Sequence, residues 1–181
     1  MEGMVSHMLR PTLIFVTIIT TGVLATGVAL ATPKDDWPRI NGELYINTHD
    51  KDKSHTGTAK NDELLGGHGD DVIYGSTGHD VIWLDHKNTG NTGSQRDRVY
   101  AAAGNDWIYA SHGANNIHGG AGQDTIRVWF GRGFVDCGPG GNDILYVSKT
   151  QNRKVKRRNC ERVSHKSARK AVHDRDNLRY P

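Results

Sequence analysis

Two nine-residue units stand in tandem at residues 66–83, with the sequences GGHGDDVIY and GSTGHDVIW. Each follows closely the pattern G-G-x-G-x-D-x-U-x, in which U is a large aliphatic residue. A loop needs glycine wherever φ is positive or another backbone comes close. The pattern therefore predicts a tight loop followed by a short strand, repeated with a period that is typical of solenoids.

The period extends over about half of the chain. A degenerate unit precedes the tandem pair at residues 57–65, and three more units of nine occupy residues 101–127. A unit with Gly133 in the Asp position and a ten-residue unit at 137–146 complete the series. The aliphatic position is predicted to face the core, with the middle of each strand turned inward. It is occupied by Leu64, Ile73, Ile82, Val99, Ile108, Ile117, Ile126, Val135 and Leu145.

One spacing departs from the period, because 17 residues separate Ile82 from Val99. Seventeen is one less than two units, so we expect residues 84–100 to make two half-turns with a distorted loop. Two stacked columns of loop residues follow from this count. The first holds Asp62, Asp80, Asp97 and Asn115, and the second holds Asp71, Asp106, Asp124 and Asp143. The expected pairs are Asp62 with Asp80, Asp106 with Asp124, and Asp124 with Asp143, which leaves Asp71 without a clear partner.

The loops offer carboxylates from Asp and neutral oxygens from glycine carbonyls. A hard cation that takes about 6–8 oxygen ligands suits this supply, and Ca²⁺ is the natural candidate. Weaker or empty sites are expected near Asn115 and Gly133. The alternatives are Asx turns at the Asp residues and a zinc site among the histidines, whose spacings match no zinc pattern. The predicted metal-binding residues are Asp62, Gly67, Gly69, Asp71, Gly78, Asp80, Asp97, Gly104, Asp106, Gly113, Asn115, Gly120, Gly122, Asp124, Gly140 and Asp143.

The charge is unevenly spread. Residues 32–148 hold 10 Lys and Arg against 16 Asp and Glu, whereas residues 149–181 hold 12 against 3. The acidic part should repel itself without cations. Lys154, Lys156, Arg157 and Arg158 form a basic patch that could attach to an anionic wall polymer, a membrane or nucleic acid. A solvated tail is the favoured interpretation, because aromatic residues are not interleaved with the charges.

The ends of the chain have different signatures. The apolar run 13–31 ends in Ala-Leu-Ala, which predicts a signal peptide at 1–31, or a cell-surface anchor if it is not cleaved. A polar lead-in at 32–56 with one strand at 43–47 precedes the repeat domain at 57–147, and a basic cap and tail occupy 148–181. Two cysteines in an exported chain argue for one disulfide, Cys137–Cys160, joining the last repeat to the cap.

The units resemble the RTX, or haemolysin-type, calcium-binding repeats of bacterial secreted proteins. The closing VDCGPGGNDILYV and RRNCERV are similar to the end of secreted RTX-repeat proteins from actinobacteria. The resemblance implies a parallel β-roll, a right-handed all-β solenoid, that is extracellular and binds calcium at the seven loop Asp residues. The chain contains no segment resembling the protease, lipase or pore-forming domains that such repeats often follow, so no toxin activity is implied.

We therefore expect a secreted, monomeric, non-catalytic calcium-binding protein with a structural or adhesive role. One rival is a module that binds wall polymer or glycan through exposed rings at Trp83, Tyr100, Trp107 and Tyr109; the lead-in could equally cover these rings. Another rival, a glycan-active β-helix enzyme, is disfavoured because the loop pattern uses the acidic residues. Neither a specific nucleic-acid partner nor a membrane span after cleavage is expected.

Overall fold

The structure, a computed structural model, describes residues 37–49, 51–85 and 94–165. The predicted signal peptide lies outside this range, as do residues 166–181 of the tail. Among the described residues there is one short 3-10 helix, Gln151–Arg153, and no helix long and apolar enough to cross a membrane. The rest of the regular structure is strand: β1 Leu44–Ile46, β2 Ser54–Thr56, β3 Glu63–Leu65, β4 Val72–Tyr74, β5 Val81–Trp83, β6 Arg96–Ala103, β7 Trp107–Tyr109, β8 Ala114–Ala121, β9 Thr125–Val128, β10 Arg132–Asp136, β11 Ile144–Val147, β12 Val155–Arg158 and β13 Arg162–Ser164.

The strands form two parallel sheets. The first sheet has the order β1-β3-β5-β7-β9-β11-β13, and the second has the order β12-β10-β8-β6-β4-β2. Odd and even strands alternate along the chain, so one strand from each sheet makes one coil. The predicted all-β parallel solenoid is confirmed.

The core lies between the two sheets and consists of the aliphatic position of each unit. All nine predicted residues are buried there, none more than 2% exposed. Register keeps them in line: Leu64 pairs with Ile82 and Ile82 with Ile108 in the first sheet, and Ile73 pairs with Val99 in the second. Burial of each such side chain contributes about 1.5–3 kcal/mol, so a single row per sheet supplies most of the core.

The structure corrects the prediction for residues 84–100. Ile82 belongs to the first sheet and Val99 to the second, so the 17 residues make one half-turn with an insertion rather than two half-turns. The insertion leaves the register of the flanking strands unchanged, because a longer loop adds little closure entropy. As a result, Asp97 belongs to the same column as Asp71, and Asp80 is followed by Asp106.

Both sheets extend beyond the repeats. At the start, β1 and β2 form a first coil, and β1 confirms the strand expected in the lead-in. Tyr45 and His55 stack at this end with their ring centroids 3.5 Å apart. At the other end, β12 and β13 add a last coil, and the predicted disulfide Cys137–Cys160 is present. Stacked rings thus cover one end of the core and a covalent link lies at the other.

Candidate metal centre

Two columns of residues stand where the loops meet the strands. Column A immediately precedes the strands of the first sheet and contains Asp62, Asp80, Asp106, Asp124 and Asp143. Column B lies at the start of the strands of the second sheet: Asp71 precedes β4, and Asp97, Asn115 and Gly133 are the second residues of β6, β8 and β10. The expected pairs Asp62–Asp80, Asp106–Asp124 and Asp124–Asp143 are adjacent in column A. The predicted division into columns and the expectation that Asp71 lacks a partner are wrong, since Asp71 is next to Asp97.

Column A is a continuous hydrogen-bond ladder. The backbone N–H of Asp62 donates to Oδ1 of Asp80 at 2.8 Å, and the N–H of Asp80 donates to Oδ1 of Asp106 at 2.8 Å. The same bond joins Asp106 to Asp124 at 2.9 Å and Asp124 to Asp143 at 2.7 Å. The carboxylates of Asp80, Asp106, Asp124 and Asp143 are therefore each fixed in position by the coil before them, through one of their two oxygens.

The second carboxylate oxygen is left without a hydrogen bond in five of these residues. The oxygen is Oδ2 of Asp71, Asp80, Asp106, Asp124 and Asp143, and it is buried in each case. An unpaired buried anion is costly, and such groups are normally paired, bound to a metal or neutralised by a proton. Five orphaned oxygens, four of them in register in column A and the fifth in column B, point to a cation as their partner.

Burial changes the acidity of these carboxyls accordingly. Desolvation, with smaller contributions from the neighbouring carboxylates of Asp124 and Asp80, raises the pKa of Asp106 to about 8. Desolvation likewise raises the pKa of Asp80 and Asp124 to about 7 and that of Asp71 to about 6. The pKa of Asp143 is also raised, first by burial and then by Glu161. Without a counter-charge, the carboxyls of Asp80, Asp106 and Asp124 hold protons near neutral pH.

Glycine at the first position of a unit leaves space beside the orphaned oxygen. A Cβ on Gly75 would lie 2.7 Å from Oδ2 of Asp80 and 2.5 Å from the carbonyl oxygen of Ala101 in the next coil. A Cβ on Gly66 would lie 3.0 Å from Oδ2 of Asp71 and 2.7 Å from the carbonyl oxygen of Leu84. A carboxylate oxygen and a neutral carbonyl oxygen thus face one small space, which is the donor set that Ca²⁺ prefers.

Comparison with protein families agrees with this chemistry. Residues 56–84 and 91–126 match the RTX calcium-binding nonapeptide repeat, in four copies. These repeats belong to the RTX family. No curated protein and no solved structure matched the chain. The family implies Ca²⁺ binding, and the comparison indicates no catalytic family.

Two Asp residues of the RTX repeats differ from the other five, because hydroxyl groups satisfy them. Oδ2 of Asp62 accepts hydrogen bonds from the N–H of Thr58 at 2.6 Å and from its hydroxyl at 3.0 Å. Oδ2 of Asp97 accepts a hydrogen bond from the hydroxyl of Ser111. These carboxylates already have partners within the protein, and Thr58 and Ser111, which supply them, occupy the second position of their units, where the repeat pattern has glycine.

Asn115 and Gly133 interrupt column B. The amide of Asn115 bonds within its own loop: its Oδ1 accepts from the Ser111 hydroxyl at 2.7 Å, and its Nδ2 donates to the Ser111 carbonyl at 3.0 Å. Gly133 has no side chain to offer. The second half of column B therefore provides no carboxylate toward which a cation could be drawn.

Most loops of the RTX repeats supply a single carboxylate, and the loop before β4 supplies two, Asp70 and Asp71. The described ranges contain no group of three or more His, Cys, Asp or Glu side chains that could together hold a metal ion, whether zinc or calcium. His68 and His112 flank Asp85, but the closest nitrogen-to-oxygen distances are 3.8 and 3.9 Å. Any cation between the loops would therefore have to draw most of its ligands from backbone carbonyls.

The predicted glycines shape these loops. Seven have positive φ, from 79° at Gly113 to 148° at Gly104. Gly140 is not among them, but a Cβ there would strike the carbonyl oxygen of Gly122. Ser76 and Ala102 occupy glycine positions of the pattern and also have positive φ, 84° and 79°. The seven predicted glycines with positive φ are Gly67, Gly69, Gly78, Gly104, Gly113, Gly120 and Gly122.

Sequence reasoning missed one member of column A. Oε2 of Glu161 accepts the backbone N–H of Asp143 at 2.9 Å and so extends the ladder into the last coil. Glu161 follows Asp143 by 18 residues, which is two units. That spacing was the available signal, but no glycine pattern precedes Glu161.

The predicted row of exposed rings is wrong for Trp83 and Tyr109. Both are buried, at 3% and 7% exposure, beneath the lead-in residue Trp37. The Trp37 indole N–H donates to the Tyr109 hydroxyl at 2.8 Å, and the ring centroids of Trp37 and Trp83 are 5.7 Å apart. The lead-in covers the outer face of the first sheet here, as the alternative interpretation held. Trp107 and Tyr100 remain partly exposed.

Proposed function

We propose that the protein is an extracellular calcium-binding scaffold without catalytic activity, whose coils are held together by Ca²⁺ between the loops. The observation that carries the proposal is the set of five buried, unpartnered carboxylate oxygens, four in register in column A and one, that of Asp71, in column B. The residues that would hold the ions are Asp71, Asp80, Asp106, Asp124 and Asp143.

In each proposed ligand the two carboxylate oxygens have different roles. Oδ1 accepts the N–H of the preceding coil and sets the orientation of the carboxylate, so Oδ2 is the atom available to the ion. Bound Ca²⁺ would offset the charge of stacked carboxylates and satisfy neutral carbonyls at once. Ala101 and Leu84 supply such carbonyls beside Asp80 and Asp71. Asp62 and Asp97, which have hydroxyl partners, are proposed to be weak ligands or none.

The location and role are proposed from three supports. RTX repeats are typical of extracellular proteins, residues 1–31 have the features of a cleaved signal peptide, and a disulfide persists in oxidising compartments. A structural or adhesive role fits a domain made of stacked coils. Binding of glycan through Trp83 and Tyr109 lacks support because Trp37 covers both. Catalysis by paired carboxylates lacks support because the loop carboxylates are buried in the ladders.

The test compares Asp106→Asn with the matched control Asp62→Asn. Asparagine keeps Oδ1 as an acceptor for the preceding N–H but replaces the charged Oδ2 with a neutral amide. Bound calcium is counted by equilibrium dialysis and elemental analysis of the purified protein. We expect Asp106→Asn to bind at least one ion fewer than the wild type and Asp62→Asn to bind the same number.

Two outcomes would overturn the proposal: no calcium on the wild type at millimolar calcium, or equal losses in both variants. Circular dichroism of each variant in excess calcium verifies that the fold is retained.

A further inference from the structure

The outer face of the second sheet carries a basic groove. It has a volume of about 490 Å³ and crosses β6, β8, β10 and β12. Five cationic side chains line it, all on exposed residues: Arg96, Arg98, Arg132, Lys154 and Lys156. Asp97 is the one acidic residue in the lining, and its carboxylate is buried and bonded to the N–H of Asp71 and the hydroxyl of Ser111.

The strand register explains the groove. Arg96, Ala114 and Arg132 stand side by side on β6, β8 and β10. Adjacent strands lie about 4.8 Å apart, so the two arginines stand about 10 Å apart across the small Ala114. A second row places Arg98, Asn116, Phe134 and Lys156 on the four strands. The smaller residues of β8 form the floor, and the cations of the neighbouring strands form the walls.

The charge changes sign along the sheet. The positions equivalent to Arg96 in the two preceding coils are Asp70 and Asp52, by the register of β2, β4 and β6. The change occurs between β4 and β6, one coil before column B loses its carboxylates at Asn115 and Gly133. The loops that cannot serve a cation are therefore next to the surface that attracts an anion.

We propose that this groove binds a linear polyanionic saccharide, one that carries carboxylate or sulfate groups along its chain. Cationic side chains that project from strands spaced in this way can pair with successive charges of an extended polymer. The amide of Asn116 at the floor can bond to hydroxyl groups. The inference adds a partner to the calcium-binding scaffold and does not depend on which loops hold calcium.

The rings beside the groove favour a saccharide over a nucleic acid. Tyr74 stacks on Tyr100 at 5.2 Å between centroids, and Tyr100 stacks on His118 at 4.9 Å. The guanidinium of Arg158 lies 5.5 Å from the centre of the Phe134 ring. Single-stranded nucleic acids bind by stacking bases on open ring faces, and these faces already have neighbours.

The experiment measures binding of the purified protein to labelled oligosaccharides at saturating calcium and physiological salt. The probes are a galacturonate oligomer for carboxylate, a heparin oligomer for sulfate, and dextran as a neutral control. Single-stranded and double-stranded DNA form the competing arm. The groove variant combines Arg98→Gln, Lys154→Gln and Lys156→Gln. The matched control removes the same charge from exposed residues elsewhere: Lys51→Gln, Lys60→Gln and Arg153→Gln.

We expect at least one acidic oligomer to bind, with about a tenfold loss in the groove variant and less than about twofold in the control. Binding of the carboxylate or the sulfate probe alone identifies the source. Equal losses in both variants, tighter binding of DNA, or no binding of either acidic oligomer would overturn the inference. Calcium counts measured without saccharide keep this result separate from the test of the calcium proposal.

Discussion

At the scale of single residues, the loops demand backbone conformations that glycine tolerates best. Ala102 lies at φ 79° in a position where the repeat pattern has glycine. A left-handed conformation costs a non-glycine residue about 1–2 kcal/mol. At Ala102 the sequence therefore departs from the repeat pattern, whereas the backbone keeps the left-handed conformation of the repeat.

Ala102→Gly should therefore stabilise the protein by about 0.5–1 kcal/mol, since relief of the left-handed strain exceeds the entropy cost of glycine. The neighbouring Ala103 has no positive φ, and Ala103→Gly should destabilise by a similar amount. Urea denaturation in saturating calcium measures both. A loss of stability in Ala102→Gly would contradict the assignment of strain.

Gly120→Ala tests the close approach of adjacent coils. Its Cβ would collide with the carbonyl oxygen of Ala102, and its φ of 107° is unfavourable for alanine. We expect a loss of at least about 2 kcal/mol in the free energy of unfolding. Gly141→Ala is the matched control, because a Cβ there meets nothing within 4 Å.

At the scale of strands and columns, the ladder couples protons to calcium. Without calcium, the raised pKa values of Asp71, Asp80, Asp106 and Asp124 mean that the folded state holds more protons than the unfolded state between about pH 4 and 8. Stability of the calcium-free protein should therefore be highest at the acidic end of this window and fall as pH rises through it.

Calcium binding should show the opposite trend, because the ion requires ionised carboxylates. Affinity should rise between about pH 6 and 8, and protons should be released as calcium binds at pH 7. Calorimetry in two buffers with different ionisation enthalpies counts the protons. A calcium affinity that does not change with pH across this window would contradict the coupling.

The elements show which parts of the structure sequence alone could predict. The sequence predicted the core residues between Leu64 and Leu145, because the one aliphatic residue in each unit decides which side of the strand faces inward. The sequence did not predict the division of the loop residues into columns, because a spacing of 17 residues fits either two shortened half-turns or one half-turn with an insertion. Only pairing of Ile73 with Val99 separates these cases. Trp83 is covered by Trp37, which lies 46 positions away in the sequence, and no local sequence pattern predicts a contact at that separation.

At the scale of the whole molecule, stability depends on contacts between neighbouring coils, as in other solenoids. Removal of calcium leaves five buried carboxylates to be protonated or exposed, so excess chelator at pH 8 should strongly reduce the strand signal in far-UV circular dichroism. Calcium should restore the signal, and magnesium should do so poorly because it requires a tighter octahedral shell. An unchanged spectrum and melting temperature in chelator would exclude this role for the ion.

The disulfide contributes at the same scale. It closes a loop between Cys137 and Cys160, which are 23 positions apart, and such a constraint stabilises by about 3 kcal/mol in the chain-entropy model. The double variant Cys137→Ser, Cys160→Ser should lose about this amount in saturating calcium. Hydrogen exchange should localise the loss to β12 and β13, with β3 and β5 unchanged; uniform deprotection of all coils would contradict it.

In column A, each coil donates a backbone N–H to a carboxylate of the next coil. The last acceptor is Glu161, whose side chain is exposed to water. The covalent bond lies beside that end. In reducing surroundings, where thiols stay reduced, the final coil would lack this covalent link and its strands would open locally to proteases more readily. We therefore expect limited proteolysis of the reduced protein to begin in β12 and β13, so that intact molecules would last longest in oxidising surroundings.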